Sequence, residues 1–568
     1  MRVSKVVSLG EAVRLVEPGD HVHLAYSEAR PNAAVSALVR RFAGLGGHEA
    51  GLTVSTGGLV SSQASLVSEG TAKRIIASFV GDNFPTGAPN RLFQTAIDEG
   101  RVELEEVTLW TLVARLMAGA LGLPSVPVRS LVGSDLARQS WVSEEPGEGG
   151  TVLTASALRP DITVVHGVAA DRHGNVILSP PYGEAAWGSL AARRGVIAAV
   201  EAIVDDDVIR RNQALVGIPS HLVKAVAEVP LGAHPYGLYS PIPEVAGYVE
   251  DEEFILEQRR ASRELDRYRA WVQEWVHGVA DHEAYLGKLG YDRIQRLVGG
   301  AGAGVWRVDS AGDPSWPAAP GAEELMVHEA ARLIGARLTG GGFEVLMTGI
   351  GYANLAAWLA HSRLGEGAVP LMAEIGAYGY EPRPGDPFIF SHRNLPTCTW
   401  MTGVTEILGS VMASGNSRSL AVLGAGTIDR HGNTNSSRDA DGRFLVGSGG
   451  ANDIASGAAE VILVVKHGRS RLVEQVPFVT CPGDRVGAIV TTRCVLERRP
   501  GGTEFAMTAV LPAPGETLAD AVRSAREGIG WEVAVAADVA PFAPVDEAAA
   551  AALRAFDPRH SFLPGAAA

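Results

Sequence analysis

Cysteine is nearly absent from this sequence: Cys398, Cys481 and Cys494 are the only three in 568 residues, and no two of them form a CxxC pair. An odd trio without paired spacing makes no disulfide framework and suits a reducing compartment, so a cytoplasmic location is expected. Long apolar runs are missing as well. No stretch reaches the roughly 18 apolar residues that a membrane-spanning helix needs. The opening MRVSKVVSLGEAVRLVEPGD has no uninterrupted apolar segment, so no signal peptide is expected. Positive charge is in deficit, with 49 Lys and Arg against 64 Asp and Glu and a formal net charge of −15. That excludes nonspecific nucleic-acid binding and argues against an anionic membrane surface, leaving most of the acidity as solvated exterior. Metal signatures are lacking too. There is no HExxH, and the 15 histidines are dispersed. A nucleophile-elbow serine, a GxGxxG turn after a strand and a phosphate-binding P-loop are all absent.

What is present describes an α/β protein. Hydrophobic residues make up 46% and charged residues 20%, ordinary for a globular chain, and the length calls for two to four domains. Apolar strand-like runs at 74–80, 161–169 and 195–204 alternate with helical stretches such as NAAVSALVRRFAGL, which implies a largely parallel sheet. The 67 glycines suit many tight strand-to-helix turns. Residues 257–290 are charged and helical, with Trp271 and Trp275 one turn apart, and read as a helical subdomain on the first sheet. Residues 299–322 are rich in Gly, Ala and Pro without periodicity and are the best linker candidate, dividing the chain into 1–298 and 323–568.

The two halves echo each other. DRHGN occurs as Asp171–Asn175 in VHGVAADRHGNVILS and as Asp429–Asn433 in LGAGTIDRHGNTNSS, each after a buried-looking strand. From the opening turn at Gly19 to the first copy is 152 residues; from Gly342 to the second is 87, so the first half carries 65 more. An ancient duplication, with an insertion in the first copy, accounts for this order. The motif itself reads as a turn: Asp starts it and Gly and Asn tolerate positive φ, so His173 and His431 are expected to be structural.

One carboxylate stands in an unusual setting. VPLMAEIGAYGYEP (369–382) ends an apolar strand immediately before Glu374 and follows it with Gly376 and Gly379. A strand's carboxyl end is where open α/β sheets bind ligands. A second segment, FLVGSGGANDIASG, runs a Gly-rich loop into a helix and leaves backbone N–H groups to face developing negative charge.

These segments, with KHGRSRLVEQVPFVTCPG, resemble the β subunit of glutaconate CoA-transferase, a class I CoA-transferase. SLGEAVRLVEPGDHV, AGALGLPSVPVRSLVGSDL, LGAHPYGLYS and EWVHGVADHEAYLGKLG resemble its α subunit. The resemblance covers nearly the whole chain with the α-like half first. It implies two related open-sheet α/β domains fused in one chain, with Glu374 as the nucleophile and Gly449 or Gly450 as backbone N–H donors to the oxyanion. Gly376, Gly447 and Ser448 are expected at the substrate. Where several members carry a Gln whose amide helps the oxyanion hole, this sequence has Leu109. His392, Arg393 and Asn394 follow an apolar FIF run and are candidates for binding a substrate carboxylate, since Arg suits planar anions.

The activity implied is transfer of CoA between an acyl-CoA, that of a dicarboxylic acid among the candidates, and a free carboxylic acid through a glutamyl-CoA thioester. Acyl-CoA hydrolysis, C–C bond hydrolysis or decarboxylation on the same scaffold is the alternative, and a non-catalytic ligand sensor is a third reading. Coenzyme A enters as part of the substrate, with no resident cofactor or metal. A homodimer or larger assembly is expected.

Overall fold

The computed structural model describes residues 3–27, 29–43, 50–147, 150–302, 316–413, 418–499 and 501–564. Two open sheets dominate it, one of nine strands in the first half and one of ten in the second. In the first, strands β1 (His21–Leu24), β2 (Leu52–Leu59), β3 (Ala72–Val80), β4 (Glu103–Glu106), β5 (Ile162–Ala170), β6 (Gly195–Ile203) and β7 (Val223–Glu228) run parallel in the order β7-β6-β5-β1-β2-β3-β4. Helix α1 (Leu109–Ala120) follows β4. In the second half, β8 (Val345–Thr348), β9 (Leu371–Ala373), β10 (Ser419–Leu423), β11 (Glu460–Val465) and β12 (Val486–Thr491) run parallel in the order β12-β11-β10-β8-β9. Helix α2 (Ala451–Gly457) precedes β11.

The same five-strand parallel core thus occurs twice. β5 and β11 have every residue buried apart from Glu460 at the start of β11, as strands covered on both faces should. The register slips at matching places, between Val196 and Ile197 and between Val461 and Ile462. The DRHGN turns agree bond for bond. Asp171 Oδ1 accepts from the N–H groups of His173 (2.9 Å) and Asn175 (3.0 Å), and Asp429 Oδ1 does the same for His431 (2.9 Å) and Asn433 (3.0 Å). Gly174 and Gly432 take φ of +93° and +84°, which side chains with a Cβ disfavour.

The first half's extra residues between the turns include a three-stranded sheet of Ser125–Pro127, Val142–Gly147 and Gly150–Ser156. The helical stretch begins with Glu252–Ala261 and Leu265–Val272 and packs Phe254, Tyr268 and Trp271 into the first sheet's core. Of the linker candidate, residues 299–300 end a helix, residue 322 begins the next, and 303–315 lie outside the described residues. One apolar core crosses between the halves, joining Tyr26, Leu109, Val113 and Tyr236 to Ile375, Phe388, Ile407 and Leu408.

Candidate active site

Glu374 stands where β9 ends. Leu371, Met372 and Ala373 are fully buried, and the chain then reverses so that Ala377 pairs antiparallel with Ala373. Gly376 makes the reversal possible. Its φ is +124°, and a Cβ there would collide with the Thr402 carbonyl. The turn puts Glu374 in the wall of a cavity of about 1190 Å³ that opens between the two sheets.

The GSGG loop supplies the opposite wall and is stitched to the end of β3. Val80 N–H donates to the Val446 carbonyl (2.9 Å) and Gly449 N–H to the Ser78 carbonyl (2.8 Å). A Cβ on Gly447 would lie 2.5 Å from that Ser78 oxygen, so only glycine permits the approach. Gly450 closes the arrangement. The Glu374 carboxylate packs against it so closely that a Cβ at Gly450 would collide with Glu374 Oε2.

The expectation about backbone donors is therefore corrected in one place. Gly449 spends its N–H on Ser78 and its carbonyl on Leu109 N–H (2.9 Å), leaving Gly450 as the glycine of the pair whose N–H faces Glu374. Leu109 begins α1, is 1% exposed, and lines the same cavity as Glu374, Gly447, Ser448, Gly449 and Gly450. Gly376 shapes the turn but does not line the cavity.

The SHRN segment is the second correction. Ile389 and Phe390 line the Glu374 cavity, but the chain turns after them. His392 Nδ1 lies 2.6 Å from Glu250 Oε1 of the first half, and His392 and Arg393 line a separate cavity of about 1100 Å³ with Arg293 and Arg559. Asn394 is tied locally, its Oδ1 accepting from Arg383 N–H at 2.9 Å. None of the three lines the Glu374 cavity: His392 and Arg393 line the other one, and Asn394 lines neither.

Two buried carboxylates escaped the sequence reading. Asp453, in the first turn of α2, reaches the other half: Thr108 Oγ1 donates to its Oδ1 (2.7 Å) and Trp110 N–H to its Oδ2 (2.9 Å), so a second-half carboxylate caps the N-terminus of first-half helix α1. The Asp of GSGGAND was the available signal; its partner half a chain away was not. Glu106, at the end of β4, accepts from Ser437 Oγ, with the Ser437 hydroxyl accepting in turn from Thr480 (2.9 Å).

Burial dominates the electrostatics. It pushes the Glu374 carboxyl up to about 7, with the Asp453 charge adding to the rise and the Gly450 N–H opposing it. Burial likewise raises Asp453 to about 6, against the Trp110 and Thr108 hydrogen bonds, and Glu106 to about 7, against the Ser437 bond. A carboxylate acts as a nucleophile only when ionised, so any activity that depends on the Glu374 carboxylate should fall as pH drops through about 7. In Asp453→Asn the like charge disappears, Glu374 ionises more readily, and the acidic limb should move to lower pH while Asn still caps α1. A pH profile of kcat that stays in place would show that Asp453 does not govern Glu374.

Among the described residues no group of three His, Cys, Asp or Glu is arranged to hold a metal ion, and no helix is long and apolar enough to cross a membrane.

A twin-sheet α/β protein with a strand-end glutamate facing a glycine loop matches a known family. Residues 6–229 match the family model described as coenzyme A transferase. The 3-oxoadipate CoA-transferase of Pseudomonas knackmussii matches through both of its subunits, over different parts of the chain. One of those subunits is 31% identical over 50% of this chain and 99% of its own length; the other is 30% identical over 42% and 93%. In fold, an acyl-CoA transferase of Escherichia coli O157:H7 (YdiF), solved as a thioester complex with CoA, superimposes over 97% of this chain and 96% of its own, with a TM-score of 0.66 and 14% identity. The chain belongs to the coenzyme A transferase family.

Proposed function

We propose that this chain is a fused two-subunit CoA-transferase in which Glu374 carries CoA as a glutamyl thioester between an acyl-CoA donor and a carboxylic acid acceptor. The observation that carries the reading is the contact between Glu374 and Gly450: a half-buried carboxylate in the cavity wall, packed against a backbone that favours its charged form. The Glu374 carboxylate attacks the thioester carbonyl, breaking the C–S bond to give an acyl-glutamyl anhydride and CoA thiolate. The thiolate then attacks Cδ of Glu374, releasing the free acid and leaving the glutamyl-CoA thioester. An incoming carboxylate reverses these steps and departs as the new acyl-CoA. Because the Gly450 N–H faces Glu374's own oxygen, it supports the tetrahedral species centred on Cδ, where the thioester forms and breaks. The cavity's cationic side chains, Lys466 and Arg471, both belong to the second half and suit the phosphates of CoA. The free thiols, with Cys481 and Cys494 buried, fit a reducing cytoplasm.

Acceptor dependence tests the reaction type. Donors assayed with and without a panel of carboxylic acids, products read by mass spectrometry, should give new acyl-CoA only when an acid is present; steady CoA release without one would make the chain a hydrolase.

By the resemblance, Leu109 stands where several members carry a Gln, and it brings an apolar side chain to the cavity. Leu109→Gln should change the acylation rate. If the added amide finds no partner in this buried site it should cost about 1–3 kcal/mol of stability. Turnover and melting temperature measured together separate the two, and no change in either would place Leu109 outside the acyl site.

Fusion has its own test. The cavity takes Leu109, Phe79 and Tyr26 from the first half and Glu374 from the second. Halves co-expressed after a cut near Ser310, which lies outside the described residues, should reassemble into active enzyme. Transferase activity in the second half alone would refute the two-half site.

A further inference from the structure

Glu106 is an unusual carboxylate. It ends β4, is 1% exposed, and has one oxygen, Oε2, buried without a hydrogen-bond partner, with the Arg438 guanidinium 3.9 Å from it. Neither Glu106 nor Ser437, whose hydroxyl donates to its Oε1 (2.5 Å), lines the Glu374 cavity. A buried carboxylate with one oxygen unused calls for an explanation.

The bonds around it supply one. A serine hydroxyl has one proton to give. Ser437 gives it to Glu106, so its oxygen is free to accept from Thr480 Oγ1 (2.9 Å). Thr480 Oγ1 has then spent its own proton and accepts from the Ser436 N–H (3.0 Å). Ser436 in turn grips the glycine loop. Its hydroxyl donates to the Gly447 carbonyl (2.8 Å), and its carbonyl accepts from the N–H groups of Val446 and Gly447 (3.1 Å each). Glu106 Oε1 itself lies 3.5 Å from where a Gly447 Cβ would stand. Every proton in the chain from Ser436 points toward Glu106, the member that, ionised, can only accept. The first half therefore supports the loop at two neighbouring points: β3 and β4 pair Ala77 with Glu106, and the adjacent Ser78 takes the Gly449 N–H.

We propose that Glu106 is a positioning residue for acyl transfer: through Ser437, Thr480 and Ser436 it orients a one-way hydrogen-bond chain that holds the glycine loop in place against Glu374. The proposal rests on the transferase reading above and adds a first-half residue that acts on the chemistry without touching substrate. Without an acceptor at position 106 the Ser437 proton loses its partner, both hydroxyls can turn, and Ser436 loses its fixed place. Gly447, and Gly450 with it, would then shift relative to Glu374, and small displacements at a reacting centre are costly in rate. Lys466 and Arg471 stand outside this chain, so donor binding should be kept.

The experiment follows CoA loading of Glu374 by mass in single turnovers, using whichever of acetyl-, butyryl- and succinyl-CoA loads wild type fastest. Glu106→Leu and Ser437→Ala should each slow loading about 10- to 100-fold, the scale of a misplaced reacting group, with the half-saturating donor concentration little changed. The double variant should be no slower than the slower single one, since both substitutions cut the same chain. Glu106→Gln, whose amide oxygen still accepts the Ser437 proton, should restore most of the rate. Rates are read well below each variant's melting temperature, so that lost stability alone leaves them unmoved. If Glu106→Leu fails to fold, Ser437→Ala and Glu106→Gln decide the matter. Loading at the wild-type rate in Ser437→Ala, a Gln variant as slow as Ser437→Ala, or losses that multiply in the double variant would overturn the proposal and leave Glu374 as the carrier. A wild type that loads no CoA on Glu374 would remove the transferase reading and this one together.

Discussion

Glu374→Ala should hold turnover at least about 10⁴-fold below wild type, because the variant lacks the atom that forms the covalent bond. The loss should appear in kcat, with donor binding largely kept, since Leu109, Lys466 and Arg471 are untouched. Glu374→Gln gives the cleaner control. It keeps the side chain's shape, and its amide can still meet the Gly450 N–H, yet it is not a nucleophile. Its stability carries a sign. The Glu374 carboxyl is raised by burial to about 7, so the protonated form suits the folded state. That contribution is fully present below the ordinary carboxyl range and is lost as pH rises through about 7. At pH 8 the Gln variant should therefore melt no lower than wild type, and at pH 4 the two should coincide. An inactive Gln variant that also melts well below wild type at pH 8 would point to a structural role for Glu374.

Gly450→Ala should be the next most damaging substitution, lowering kcat by about 10²–10³ as removal of a single oxyanion donor does. Here two effects act together. The added Cβ would collide with Glu374 Oε2 and approach Leu408 Cδ1 to 3.3 Å. The carboxylate must then swing away from the Gly450 backbone that favours its charged form. The φ of Gly450 is −91°, so backbone strain plays no part and the fold should persist. Gly449→Ala makes the contrast. Its φ of +53° favours glycine, but a Cβ there meets nothing within 4 Å, and its N–H already serves Ser78. It should cost stability more than catalysis. Stopped-flow acylation and melting curves on both variants separate the two roles, and equal kinetic losses would show that the loop acts as a unit.

How much of this was legible in the sequence depends on how local the signal is. The strand ending at Glu374 and the GSGGAND loop are contiguous motifs whose glycines mark close approaches, and the structure brings them together at one cavity. The DRHGN turns close on their own aspartates, so their meaning was readable in five residues. Most of the failures are contacts between the halves. Nothing in SHRN tells that His392 faces Glu250, 142 residues earlier. Gly449 could be named as a donor, but the Ser78 carbonyl that takes its N–H lies in the other half. Asp453 caps a helix 343 residues before it, and Glu106 takes the hydroxyl of Ser437, 331 residues after it. Composition and periodicity report on single elements; register between two sheets does not appear in either.

Whether CoA is held covalently on Glu374 is the central question, and mass spectrometry answers it most directly. Enzyme incubated with an acyl-CoA donor and no acceptor, then digested, should yield the peptide containing Glu374 carrying CoA. The adduct should vanish when a carboxylic acid is added and should be missing from Glu374→Gln. A wild-type enzyme that turns over yet carries CoA on another residue, or whose Glu374 peptide stays unmodified throughout, would contradict it.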